Sequence, residues 1–157
     1  MAMRLYSALP DLSGAADWLN RDGAAELEFG RFGAPLLVHF WAVDCELSKE
    51  ALPSVQRWRD AYGLAVVGVC APREGEPDGG LAAEARAAAD AWGIAHPVAI
   101  DAERALARAF GNACTPAYYL FDEAGLLRHA QTGGQGLGLL EQRIRKWSEP
   151  KPFRRES

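Results

Sequence analysis

HFWAVDCELSKEALP, residues 39–53, is the stretch on which the fold turns. It begins inside LLVHFW (36–41), a short apolar run with GAP before it and polar residues after it, which reads as a buried strand. From Cys45 the apolar period changes to the helical one: Leu47, Ala51, Val55, Trp58 and Tyr62 recur along one stripe. Gly63 stands where such a helix would end, and Pro53 predicts a kink within it. Cys45 therefore falls at a strand-to-helix junction, with Ser48 one turn further on.

The same reading extends in both directions. LAVVGVC (64–70) is a second buried strand, so strand, helix and strand form a right-handed parallel crossover unit. APREGEPDGG (71–80) reads as an exposed connection. LAAEARAAADAW (81–92) is an alanine-rich helix ended by Gly93, HPVAI (96–100) is a short strand, and Asp101 caps a helix over ERALARAF (103–110) ended by Gly111. AYYLFD (117–122) and LLRHAQ (126–131) flank EAG and predict an antiparallel hairpin. GLGLLEQRIRKW (136–147) carries Leu137, Leu140, Ile144 and Trp147 on one helical face. The expected order is β-α-β-α-β-α-β-β-α after about 35 residues of extended or irregular structure, an α/β arrangement on a mixed sheet. Residues 1–148 are expected to form one domain, with a frayed tail over 149–157.

Composition narrows the function classes. The 157 residues carry a net charge of −4 and a pI near 5.4, which argues against nucleic acid as a partner. KPFRRES (151–157), the basic cluster, reads as a solvated terminus. No apolar stretch approaches the ~20 residues of a membrane span, and residues 1–20 lack a signal-peptide core, so a cytoplasmic location is expected. Three cysteines (Cys45, Cys70, Cys114) and three scattered histidines (His39, His96, His129) show no metal-ligand spacing, so neither metal nor cofactor is expected.

The motif and the element order together resemble the thioredoxin fold, and more narrowly the TlpA/ResA-like thiol–disulfide proteins, over about residues 34–147. Phe40, Trp41, Cys45, Glu46, Lys49 and Pro53 fall on the pattern of an aromatic strand end, a W-C-x-x-C motif and a helix with a proline. In ACTPAYYLFDEAGLL (113–127), together with the residues before it, Phe110, Gly111, Thr115, Pro116, Phe121, Asp122 and Gly125 fit the approach to a cis-proline, the strand after it and an acidic-Gly turn. GVCAP (68–72) and GIAHPVAIDAERALARAFG (93–111) are weaker matches. Two residues depart from the pattern: Ser48 stands where the second motif cysteine would be, and His39 where relatives carry a buried acid or Asn.

A cysteine at a helix N-terminus is acidified by the free N–H groups there, and only the thiolate attacks a disulfide. Ser48 can donate to that thiolate, but it cannot resolve a mixed disulfide, while Glu46 opposes ionisation. Three outcomes stay open. An external thiol such as glutathione resolves the mixed disulfide; Cys114 does so; or the domain has lost redox work and only binds. Protein or small-molecule thiols and disulfides are the expected partners in the first two. The resemblance implies that Cys114 faces the motif cysteine and that Thr115–Pro116 is cis and presents Thr115 backbone groups to an extended peptide. His39, within an apolar strand, reads first as a buried neutral imidazole, with a proton-relay position beneath the cysteine as the alternative. The candidate catalytic residues are Cys45, Ser48, Cys114 and His39; Trp41, Asp44, Glu46, Thr115 and Pro116 are candidates for substrate binding. Cys70 reads as core, and His96 and His129 as structural or surface residues. Asp44 stands in place of the usual tryptophan and favours a basic or neutral partner. A peroxiredoxin is disfavoured, since Ala42 stands where that family has threonine.

Overall fold

The computed structural model describes residues 3–12, 15, 17–21, 35–72 and 80–148. Most of the predicted 71–80 connection, part of the N-terminal extension and the 149–157 tail lie outside the described residues. The elements in chain order are β1 (Asp17–Leu19), β2 (Leu36–Trp41), α1 (Glu46–Tyr62), β3 (Ala65–Cys70), α2 (Leu81–Trp92), β4 (Val98–Ile100), α3 (Ala105–Phe110), β5 (Ala117–Phe121), β6 (Leu127–Thr132) and α4 (Leu137–Ser148).

The strands form one sheet in the order β1-β4-β3-β2-β5-β6. β2, β3 and β4 run parallel, and β5, β6 and β1 run antiparallel to their neighbours, so the sheet is mixed. The thioredoxin-like α/β fold expected from the sequence is the fold observed. β2 is buried along its whole length because it lies between β3 and β5 and is covered on both faces. Its alternate residues divide the core. Leu36, Val38 and Phe40 join Val67, Val69, Tyr119 and Phe121 against Leu106, Ala107 and Phe110 of α3. Leu37 faces the other way, against α1 and α4, and Trp41 packs with α2. Fully burying each such side chain contributes about 1.5–3 kcal/mol relative to exposure.

Three details differ from the sequence reading, and the structure decides a fourth that the sequence left open. The N-terminal extension contributes a strand: β1 pairs antiparallel with β4, Trp18 opposite Ala99. Residues 6–9 also lie against the β5–β6 turn, through Tyr6 N to Leu127 O (2.8 Å) and Leu9 N to Gly125 O (2.9 Å). α3 starts at Ala105, not Glu103; the Asp101 carboxylate still caps it, accepting from the N–H groups of Leu106 and Ala107 at 2.9 Å each. Leu47 is not part of the core stripe, being 47% exposed, while Ser48 and Leu52 are buried. His96 is buried.

Candidate active site around Cys45

Cys45 is the N-cap of α1. Its backbone is extended (φ −105°, ψ 108°), and its sulfur accepts the Ser48 N–H at 3.4 Å. The thiol thus takes the place usually held by a Ser, Thr or Asp oxygen at a helix start. Because β2 ends at Trp41 and the chain turns through residues 42–44, the cap sits at the C-terminal end of the parallel strands, where open α/β sheets place their sites. A second contact runs from Sγ to the Thr115 carbonyl, 3.8 Å away.

The environment of the thiol has opposing parts. Burial pushes its pKa up. The Ser48 hydroxyl, the Ser48 N–H, Thr115 and the Leu47 N–H pull it down, and the net result lies below the ordinary value. The Ser48 hydroxyl is wholly buried and has no hydrogen-bond partner among the described residues. Cys70, by contrast, is fully buried at the end of β3, and burial pushes its thiol up to about 12, which keeps it an inert core group.

Thr115–Pro116 is cis, and Pro116 is buried. The Thr115 carbonyl is turned to Cys45, and Pro116 O accepts from Gly133 N at 2.8 Å. Cys114, one residue earlier, is exposed. Its loop is braced by a chain of two bonds: Tyr119 OH donates to Asn112 Oδ1 (2.8 Å), and Asn112 Nδ2 donates to Cys114 O (2.9 Å). Cys45 and Cys114 line one open cavity of about 410 Å³, together with Trp41, Asp44, Arg104 and Asn112. Arg104 and Asn112 were not singled out by the sequence, because nothing in their spacing marks them; the turn into α3 and the loop before Pro116 bring them here. Trp41 is fully buried, tilted against Trp92 at 5.5 Å between ring centroids, and forms the cavity floor. Glu46 is exposed in the first turn of α1.

His39 is fully buried beneath the site, stacked on Tyr118 at 4.8 Å with the rings 5° apart. Burial, with a smaller contribution from His96, lowers its pKa to about 3. Such a ring is uncharged at neutral pH and a weak base, which argues for packing rather than proton transfer. His129 contacts Gln131 at 2.6 Å, away from Cys45 on β6. Among the described residues no group of three or more His, Cys, Asp or Glu side chains is placed to hold a metal ion, and no helix is long and apolar enough to cross a membrane.

Comparison with known proteins follows the same line. No family model matches the chain. It is 42% identical over 147 residues to the thiol-disulfide oxidoreductase YkuV of Bacillus subtilis, covering 92% of this chain and 96% of that protein. It is 34% identical over 143 residues to the protein DipZ of Mycobacterium bovis, 87% of this chain but 20% of DipZ. A solution structure of a thioredoxin-like protein in the oxidized form superposes with a TM-score of 0.75 at 39% identity, over 92% of this chain and 96% of that one.

Proposed function

Because the chain belongs to the thioredoxin-like thiol–disulfide oxidoreductases, we propose that it exchanges disulfides through a single attacking cysteine, Cys45. The observation that carries this reading is the capping geometry: the one sulfur at the start of α1 accepts a backbone N–H, is partly exposed, and has its pKa held below the ordinary value. In the first step the Cys45 thiolate attacks a substrate disulfide. One S–S bond breaks, a Cys45–substrate disulfide forms, and the second substrate sulfur leaves as a thiolate. Ser48, standing where the resemblance expects a second cysteine, stabilises the thiolate but cannot displace the bound sulfur. Release therefore falls to an incoming external thiolate or to Cys114, which shares the cavity. Thr115 and Pro116 frame the sulfur on the side where an extended substrate would lie. A cytoplasmic home belongs to the same proposal, since reduced thiols there would drive the cycle toward reduction.

The test is equilibration in glutathione buffers, with intact mass and peptide mapping, on the wild type, Cys45→Ser and Cys114→Ser. The expected result is a glutathione adduct on Cys45 that disappears in Cys45→Ser. A Cys45–Cys114 link would assign release to the chain itself, and no such link would assign it to the external thiol. If Cys45 stays free and is alkylated no faster than an ordinary thiol at neutral pH, the proposal fails.

A further inference from the structure

We propose that the cavity beside Cys45 seats a small carboxylate-bearing thiol while it is disulfide-bonded to that cysteine, and that Arg104 is the residue that selects the carboxylate. The proposal rests on the exchange reading above and adds a ligand class and a specificity residue to it.

Three observations lead there. The first is size: about 410 Å³ is room for a molecule of amino-acid to short-peptide dimensions, within the range of small-ligand sites and far below that of a folded partner. The second is the position of the sulfur. Cys45 is in the wall of the cavity, and the Thr115 carbonyl that its Sγ contacts belongs to another lining residue. The third is charge. Arg104 lines the cavity, and Nη1 donates to Pro72 O at 2.5 Å. A neutral carbonyl fixes the guanidinium plane and cancels none of its charge. Arg104 is also held in the left-handed backbone region (φ 61°), with its N–H bonded to Asp101 O at 2.9 Å. A non-glycine residue is kept in that region only where its surroundings over-determine it. A guanidinium offers a planar pair of donors that matches a carboxylate. Asp44, which on sequence grounds favours a basic or neutral partner, lines the same cavity; the choice of an acidic ligand rests on Arg104 and not on Asp44.

The chemistry balances with no further component. The Cys45 thiolate attacks the small-thiol sulfur of a mixed disulfide. That S–S bond breaks, the other sulfur leaves as a thiolate, and the small thiol is now bonded to Cys45 in the cavity. A second molecule of the same thiol attacks the bound sulfur as a thiolate, having given its proton to water. The products are the small symmetric disulfide and the Cys45 thiolate.

The test measures adduct formation on Cys45 by intact mass, in a Cys114→Ser background, with three symmetric disulfides: dithiodipropionate, bis(hydroxyethyl) disulfide and cystamine. Rates are referred to those of a free small thiol. The carboxylate disulfide should be favoured over the hydroxyl one. Arg104→Gln should lower that preference about tenfold, the size of a lost charge-assisted pair. Arg104→Lys should retain part of it, and Arg104→Glu should turn the preference to cystamine. The hydroxyethyl disulfide reports in each variant whether the site is still formed. Equal preferences in wild type and Arg104→Gln would overturn the proposal while leaving exchange at Cys45 intact. Absence of an adduct with all three reagents would instead remove the exchange reading, and this one with it.

Discussion

Ser48 is the residue whose replacement says most about the site. A helix N-terminus alone acidifies a thiol through its free N–H groups, and Cys45 already receives the Ser48 N–H. The hydroxyl adds to this from a buried position, where a donor facing a charge is worth more than in water. In Ser48→Ala the backbone donor remains and the hydroxyl is lost. The Cys45 pKa should then rise, and alkylation at neutral pH should slow severalfold. Well above the pKa, where the thiol is ionised in both proteins, the two rates should converge. Following the ultraviolet absorbance of the thiolate through a pH titration checks the direction. A titration curve that does not move would assign the acidification to the Ser48 and Leu47 backbone groups and to Thr115. This part of the site is legible in the sequence, since a strand end, a helix period and a cysteine between them are all local signals. Arg104 and Asn112 are not legible, because they reach the cavity only through the packing of α3 and the loop before Pro116.

At the scale of the element, β3 shows how a missing side chain makes room for the site's foundations. Gly68 stands opposite His39 on β2 and Val98 on β4. A Cβ placed there would lie 3.0 Å from Trp41 Nε1, 3.3 Å from His96 Nε2 and 3.3 Å from Val98 Cγ2. Two of these neighbours are rigid rings, and all are buried. Overpacking of such a position costs about 1–3 kcal/mol. Gly68→Ala should therefore lower the urea midpoint although alanine suits a strand better than glycine; an unchanged midpoint would mean that the Trp41 and His96 rings shift freely. The elements that the sequence reveals are those with a strong period of their own. β1 has three residues, DWL, and exists through pairing with β4 some eighty positions away, so its signal lies in the partner and not in itself. The start of α3 moves by two residues because the Asp101 carboxylate reaches past the turn to Leu106 and Ala107. Leu47 matches the helical stripe in spacing, yet it sits in the first turn of α1 beside Gly134 and stays exposed.

The whole molecule carries a pH dependence set beneath the site rather than in it. His39 and His96 are both buried, and neither ring nitrogen of either has a hydrogen-bond partner among the described residues. Burial is the larger cause in both cases, and it lowers each from 6.5 to about 3. Their identity as a pair is not visible in the sequence, where 57 positions separate them; they are brought together across Gly68, by the register of β2 with β3 and by the turn into β4. The sign of the effect follows directly. Well above pH 6.5 both rings are neutral whether the chain is folded or not, and they contribute no slope. Between 6.5 and about 3 the unfolded chain binds protons that the folded one refuses, so stability falls as pH falls. Each histidine adds a slope of about 1.4 kcal/mol per pH unit well inside that window. Asp122, whose carboxylate is held below its ordinary value mainly by backbone N–H groups and Arg128 against the opposing effect of burial, acts in the same direction at lower pH. Urea unfolding at a series of pH values from 7 to 4 should show a steep loss of stability in the wild type. In His96→Asn the slope should be shallower by about 1.4 kcal/mol per pH unit, whatever the substitution does to stability at pH 7. Equal slopes in the two proteins would mean that His96 is protonated in the folded chain, and that the space around Gly68 is wet enough to hold a charge.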